Sequence, residues 1–130
     1  MREILFRGKR EDNGERVMGM PCATFGSGIY SIQTLQGGIF DIIPETLGQY
    51  IGLTDKNGNR IFEGDIVSFT RVNALGYTTS RVGDVRYYDE LPIFYIMATT
   101  GDAWDWCYCD NIEVIGNIHD NPELLKGGDE

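Results

Sequence analysis

The chain has 130 residues, of which 42% are hydrophobic and 24% are charged, and these values are typical of one globular domain and unlike those of a disordered chain. It carries 11 basic and 20 acidic residues, and eleven of the acidic ones fall within 84–130, where only Arg86 and Lys126 are basic. The formal charge of −9 therefore disfavours direct binding to duplex nucleic acid, because the phosphate backbone would be repelled.

The sequence shows no targeting signal, and this observation together with the cysteine usage favours a cytoplasmic protein. The N-terminal apolar run, Ile4-Leu5-Phe6, is too short for a signal peptide, and no stretch is long enough to span a membrane. The three cysteines are odd in number, and a chain of this length can fold without disulfides. We therefore expect reduced thiols and a cytoplasmic location.

The first fifty residues predict short strands joined by tight turns. Strands are predicted over 4–9, 16–19, 29–33 and 39–43. Asn13-Gly14 is a strong hairpin signal because both residues tolerate positive φ. Gly37-Gly38 marks a further turn, and proline in the first position makes 44–47 a helical turn. We expect residues 19–22 to interrupt the second strand.

The central stretch, 48–69, predicts two strands around a capped turn. The carboxylate of Asp55 is placed to cap that turn, and Gly58 supplies the positive φ that closes it. The pattern Asp55-x-Asn57-x-Asn59 also resembles the opening of a calcium loop. Its sixth position is Arg60 rather than glycine, so turn capping is the favoured interpretation.

The second half of the chain predicts a loop followed by strands at roughly ten-residue spacing. Residues 71–80 read as a polar loop. Strands are predicted over 81–88, 93–100, 103–109 and 113–118, and a helical turn over 121–126. With no long amphipathic helix, the pattern predicts a mainly β protein, either a small barrel or a sandwich. We expect a single domain over 1–130, divided into an N-terminal β segment (1–50), a core (51–120) and a C-terminal turn and tail (121–130).

Three blocks of the sequence resemble the YopX-like family of phage and prophage proteins. They are REILFRGK (2–9), TLGQYIGLTDKNG with IFEGDIV (46–58 and 61–67), and EVIGNIHDNPELL (113–125). Residues 20–43 match little, and 70–110 match only as strands. The resemblance implies an SH3-type small barrel with an N-terminal β-hairpin extension and one or two short helical turns. It also implies an origin in a temperate phage or a prophage of a low-GC Gram-positive host, and it supplies no catalytic residues.

A zinc site can be written from the cysteines and the single histidine. A strand over 103–109 would place Cys107 and Cys109 on one side, and Cys22 with His119 would complete a Cys₃His set. Cys-x-Cys is tighter than the usual zinc knuckle, however, and the ligands would come from three distant segments. Buried, inert thiols are the favoured interpretation, and no cofactor is predicted.

An aromatic row is the strongest binding candidate. On the same predicted strand, Trp104, Trp106 and Tyr108 would share the side opposite the two cysteines. The simpler interpretation is that the row belongs to the core or covers one end of the barrel. The row has three acidic neighbours, Asp102, Asp105 and Asp110. If the row is exposed, these carboxylates favour a basic peptide or protein over a nucleic acid.

Catalysis has little support in the sequence. His119 has no nucleophile motif near it, and Glu63 with Asp65 is better read as a solvated pair beside a turn than as an acid pair. We therefore expect a phage or prophage module without catalysis that binds a phage or host protein. The alternative is a nucleic-acid-associated role, through single-strand binding or acidic mimicry of DNA, and a metal-dependent enzyme is the third hypothesis. The sequence leaves self-association open.

Overall fold

The computed structural model describes residues 4–24, 29–88, 90 and 93–126. Its strands pair antiparallel and its only helical elements are short 3-10 turns within those residues, so the prediction of a mainly β protein is confirmed. Contacts along the chain group into two compact units, Met1–Gly52 and Leu53–Glu130. The single domain with its divisions at 50 and 120 stays a prediction, and residues 127–130 of the expected tail lie outside the described part.

The first unit is built from antiparallel strands. They are β1 (Phe6–Lys9), β2 (Arg16–Thr24), β3 (Ile29–Thr34), β4 (Ile39–Asp41) and β5 (Gly48–Thr54), whose last residues enter the second unit. Their order in the sheet is β4-β3-β2-β1-β5. Leu5, Ile32 and Ile42 are its buried apolar side chains among the described residues. The expected turn at Asn13-Gly14 is confirmed, with Gly14 at φ 74°, and the expected helical turn is the 3-10 turn Pro44–Thr46.

Strand β2 continues through the stretch that was expected to break it. Pro21 lies opposite Ile32 of β3, whereas the pairing of β2 with β1 ends at Gly19. Since proline lacks an N–H, it is tolerated in a strand where one side has no partner strand. The predicted interruption at 19–22 is therefore wrong, because Pro21 sits beyond the end of β1.

The second unit holds a five-stranded antiparallel sheet with the order β10-β9-β8-β7-β11. After β6 (Arg60–Phe62) its strands are β7 (Asp65–Val72), β8 (Thr78–Tyr88), β9 (Ile93–Ala98), β10 (Ala103–Trp104) and β11 (Asp110–Asn117). Two 3-10 turns accompany them, Trp106–Tyr108 and Pro122–Leu125. The second of these is the helical turn that the C-terminal sequence predicts.

This sheet curls strongly. Phe69 on β7 and Trp104 on β10 place their ring centroids 6.3 Å apart, although β8 and β9 lie between those strands. In a flat sheet three strand spacings amount to roughly 14 Å, so the rings meet because the sheet bends toward itself. Its core includes Val67, Val85 and Ile96, all almost fully buried. The described residues do not form a closed barrel, and SH3-type closure stays a prediction.

The polar loop predicted over 71–80 is wrong. β7 extends to Val72 and β8 begins at Thr78, so a five-residue turn connects them. The side-chain oxygen of Asn73 accepts the N–H groups of Leu75 at 2.9 Å and Tyr77 at 3.0 Å. The connection is a short turn and not a long loop because the Asn73 side chain accepts the N–H groups that close the hairpin.

Candidate functional site

The Asp55 turn is a structural element. Its carboxylate accepts the N–H groups of Asn57 at 3.0 Å, Asn59 at 2.8 Å and Val114 at 2.9 Å, and the Asn59 amide at 3.4 Å. Burial tends to raise the pKa of Asp55, but the backbone N–H bonds from Val114, Asn59 and Asn57 outweigh it and lower the pKa. Capping of the turn by Asp55 is confirmed. The carboxylate that would begin a calcium loop is engaged by the protein.

Glu63 and Asp65 do not form an acid pair along a strand. Glu63 lies in the turn between β6 and β7, whereas Asp65 is the first residue of β7. Asp65 is 1% exposed, and its Oδ2 accepts the N–H of Phe62 at 2.7 Å. The expectation of a solvated pair is therefore wrong for Asp65, which is a buried acceptor that shapes the turn.

The cysteines and the histidine do not gather around a metal position. Among the described residues no group of three or more histidine, cysteine, aspartate or glutamate side chains is placed to hold a metal ion. Cys22 and Cys107 are exposed and Cys109 is buried, so the expected placement of Cys107 and Cys109 on one side of a strand is wrong. His119 is an exposed residue whose backbone N–H donates to Oδ1 of Asn117 at 3.0 Å.

Burial makes Cys109 a poor nucleophile. Desolvation, followed by the negative charge of Asp110, raises the pKa of its thiol to about 11. Its Sγ lies 3.4 Å from the backbone oxygen of Asp105, to which it donates. Since the thiolate is the reactive and metal-binding form, a protonated thiol serves neither chemistry at neutral pH. The interpretation of an inert thiol holds for Cys109, whereas Cys22 and Cys107 are free and exposed.

The predicted aromatic row is not a row. The strand ends at Trp104, and Trp106–Tyr108 is a 3-10 turn, so the strict alternation of a strand does not apply. Trp106 is half-buried and its indole N–H donates to the backbone oxygen of Phe94 at 2.9 Å. Tyr108 is 62% exposed. The three side chains therefore have separate roles.

Trp104 is anchored to the core face of the curled sheet. Besides its contact with Phe69, its ring lies 4.5 Å from the guanidinium carbon of Arg71. Its indole N–H is buried and helps to lower the pKa of Asp102. The simpler interpretation of the aromatic residues, that they belong to the core, therefore fits Trp104 best.

An aromatic pocket opens beside Trp104, over the face of β9 that carries Tyr95 and Met97. It has a volume of about 400 Å³ and is lined by Tyr88, Ile93, Tyr95, Met97, Ala103, Trp104 and Asp105. Sequence reasoning found only Trp104 and its acidic neighbour. The missing signal was strand register, because Tyr88 pairs with Ile93 across the β8–β9 hairpin, and alternation then places Tyr95 and Met97 on the same face.

The rim of the pocket is acidic. Asp105 is exposed, and its side chain does not cap the 3-10 turn that follows it. The hydroxyl of Tyr88 donates to Oε1 of Glu90 at 2.8 Å, and this bond raises the pKa of Tyr88, with burial and Tyr95 adding to the effect. Arg86 is the nearby cation, but its Nε pairs with Oδ2 of Asp84 at 2.7 Å. Uncompensated negative charge is therefore left at the pocket mouth.

A second cavity lies in the first unit, and three of its lining side chains contact one another. It has a volume of about 270 Å³ and includes Arg10, Asp12 and Phe40. The guanidinium of Arg10 lies 4.2 Å from the Phe40 ring centroid and pairs with Asp12 at 2.7 Å. The charged and aromatic groups of this second cavity already pair with one another, so they are less available to a ligand. The pocket beside Trp104 is therefore the better candidate site.

None of the described helical turns is long and apolar enough to cross a membrane.

Comparison with known proteins gives a family and a fold. A family model described as YopX protein matches residues 22–126. The crystal structure of protein EF1440 from Enterococcus faecalis is similar to this chain with a TM-score of 0.56 and 23% sequence identity, over 96% of this chain and 99% of that one. At this identity the likeness concerns the fold alone. None of the curated proteins matches this chain.

Proposed function

The chain belongs to the YopX family, and from this premise we propose that it is a small protein-binding module of phage or prophage origin that works in the host cytoplasm without catalysis. The observation that carries the proposal is the aromatic pocket of about 400 Å³ in the second unit. Tyr88 and Ile93 on its wall are 39% and 41% exposed. Exposed aromatic and aliphatic side chains around a concavity are the usual anchors of protein partners.

The charge of the second unit supports a basic partner. Residues 53–130 contain six basic and fourteen acidic side chains, a net −8. Complementary charge speeds association and suppresses partners of the wrong sign. A basic segment of a phage or host protein fits this surface better than a nucleic acid, whose phosphates would be repelled. Regulation of the phage or interference with a host protein are both roles of this kind.

The finer architecture of the second unit is also part of the proposal. We propose that its sheet belongs to the SH3-type barrels. The close approach of Phe69 and Trp104 across two intervening strands supports this assignment, since such curling is the first requirement for closing a barrel. Pockets at the edges of small barrels commonly receive extended peptides.

Selection from a random peptide library displayed on phage tests the binding role. Wild-type protein should enrich peptides that contain basic residues, and Ile93→Ser should lose them because it removes apolar surface from the pocket wall without adding charge. Tyr77→Ala is the matched control, since Tyr77 is 67% exposed and lies in the β7–β8 turn outside the pocket. Peptides retained by Ile93→Ser, or no enrichment at all, would contradict the proposal.

The nucleic-acid alternative is tested on the same protein. Fluorescence anisotropy with a labelled single-stranded oligonucleotide at low salt should show no binding if the acidic surface repels phosphates. Binding that weakens steeply as salt rises would instead favour the alternative.

A further inference from the structure

We infer that the aromatic pocket seats one cationic side chain, the guanidinium of arginine or the ammonium of lysine, from the bound partner. The inference rests on the proposed binding function and adds the chemistry of the anchor residue. It uses the walls of the pocket, the charge at its mouth and its size.

The walls of the pocket suit a cation. Tyr88 and Tyr95 meet at 83° with ring centroids 6.4 Å apart, so that two aromatic surfaces form a corner. Aromatic faces attract cations through their quadrupoles, and the attraction increases when the cation is partly desolvated. Arg71 already lies over Trp104, so the two tyrosines are the rings that an incoming cation would contact. Met97 and Ile93 provide apolar surface for the methylene groups of its side chain.

The charges at the mouth select the sign of the ligand. Asp105 lines the pocket, and Glu90 is held beside it by the Tyr88 hydroxyl. Arg86 cannot neutralise them, because Asp84 holds its guanidinium through two contacts, at 2.7 and 3.3 Å. No cation pairs with Asp105 among the described residues. An incoming guanidinium would thus find a carboxylate at the mouth, whereas a phosphate or carboxylate ligand would be repelled.

The volume fits this assignment. A space of about 400 Å³ admits one arginine or lysine side chain with room for bridging water. The same protein already places guanidinium groups over rings, with Arg10 over Phe40 and Arg71 over Trp104. Both of those cations belong to the chain. At the Tyr88–Tyr95 corner the nearby cation is Arg86, which pairs with Asp84 and also bonds to the Tyr95 hydroxyl.

A titration followed by NMR tests the inference with small probes. ¹⁵N-labelled protein is titrated with N-acetyl-arginine methylamide, and separately with the citrulline analogue, which has nearly the same shape but no charge. The arginine probe should shift the amide signals of Tyr95 and Ala103 and the indole signal of Trp104. The citrulline probe should bind about threefold to fivefold more weakly, which is the contribution expected of a cation–aromatic contact at a partly exposed site.

Two carboxylate variants serve as a matched pair. Asp105→Asn should weaken the arginine probe about threefold while leaving the citrulline probe unchanged. Asp110→Asn, at an exposed position outside the pocket, should leave both unchanged. Equal affinity for the two probes, or equal effects of the two variants, would overturn the inference.

Failure of the inference can be told apart from failure of the proposed function. If selected peptides need Ile93 but bind equally well with citrulline in place of arginine, the inference of a cation site is refuted and the proposed binding function is supported. If the arginine probe binds in the pocket but no peptide is selected, the inference of a cation site is supported and the proposed binding function is refuted. An apolar consensus among the selected peptides would also count against the cation site.

Discussion

Asp55 connects parts of its unit that lie far apart in the sequence. Its carboxylate closes its own turn and also accepts the N–H of Val114, 59 positions away. Beside it the N–H of Lys56 donates to the backbone oxygen of Ile112 at 2.8 Å. These bonds occupy outward-facing groups of the edge strand β11. A covered edge is protected from pairing with another chain.

Replacing Asp55 should cost far more stability than replacing its counterpart in the next hairpin. Asp55→Ala removes a charged acceptor from several N–H groups, one of them in β11, and should destabilise the fold by about 3 kcal/mol. Asn73→Ala removes a neutral, exposed acceptor from two N–H groups within its own turn and should cost about 1 kcal/mol. Urea denaturation at pH 7 measures both. Equal losses would mean that the bond to Val114 contributes nothing.

One turn design recurs at the level of elements. In four hairpins the first residue of a five-residue turn donates its N–H to the oxygen of the fifth, and the fourth donates to the first. These turns span 34–38, 55–59, 73–77 and 98–102. The fourth residue is always a glycine with positive φ: Gly37, Gly58, Gly76 and Gly101. This is a type I turn followed by a glycine bulge, a common three-residue hairpin loop.

Substitution of two glycines on one hairpin should separate turn strain from steric exclusion. A Cβ at Gly83 would lie 2.5 Å from the oxygen of Met97 and 2.6 Å from Cγ2 of Ile96, so the central strands must part, at a cost of about 3 kcal/mol or more. Gly76→Ala has open space around it but a φ of +88°, and should cost about 1 kcal/mol.

Thermal denaturation of the two glycine variants, followed by circular dichroism, measures the difference. A Gly83→Ala protein that melts at or above the temperature of Gly76→Ala would show that the sheet accommodates the methyl group.

The glycine turns explain how far the sequence predicts the fold. Where a strong dipeptide or an Asp–Asn turn accompanies the glycine, as at Asn13-Gly14 and Asp55, the hairpin is predicted correctly. The sequence does not predict the tight turn after β7, because Ala74 and Leu75 carry no turn signal of their own. Only Gly76 and the acceptor Asn73 identify it, and both also suit a loop.

The candidate site was harder to predict because its geometry depends on distant contacts. Alternating aromatic residues at 104, 106 and 108 imitate the period of a strand. The bond from the Trp106 indole to Phe94, twelve positions earlier in the chain, accompanies a 3-10 turn instead. The alternation of neighbouring residues gives no information about a contact with a residue twelve positions away. The pocket walls on β8 and β9 depend on which residues of the two strands lie opposite each other. The sequence predicts both strands but not this register.

At the scale of the whole molecule, charge is distributed unevenly along the chain. Residues 1–52 carry five basic and six acidic side chains, a net −1, and the remaining residues carry −8. Association with a basic partner through the second unit should therefore weaken as salt rises, because exposed charges are screened within about 10 Å at 0.1 M ionic strength.

Stability of the whole protein should fall at both ends of the pH range, for different reasons. The pKa of Asp55 is lowered on folding, and so is that of Asp102, chiefly by the hydroxyl of Thr100. A group with a lowered pKa stabilises the fold above its unfolded value, near 3.8 for both, and this contribution is lost as pH falls through the folded pKa. The acid decline should therefore begin below about pH 5.

The alkaline decline should depend on Cys109. Its pKa is raised on folding from 9.0 to about 11, so its contribution is complete below pH 9 and is lost as pH rises toward 11, because the unfolded thiol ionises first. Tyr88, whose pKa is also raised, acts in the same direction above its usual range.

Urea denaturation from pH 7 to 11 under reducing conditions should show that Cys109→Ala is less stable than wild type at pH 7 and declines less between pH 9 and 11. Cys22→Ala, at an exposed position on β2, is the control and should decline as wild type does. Parallel profiles for wild type and Cys109→Ala would show that the buried thiol does not set the alkaline limit.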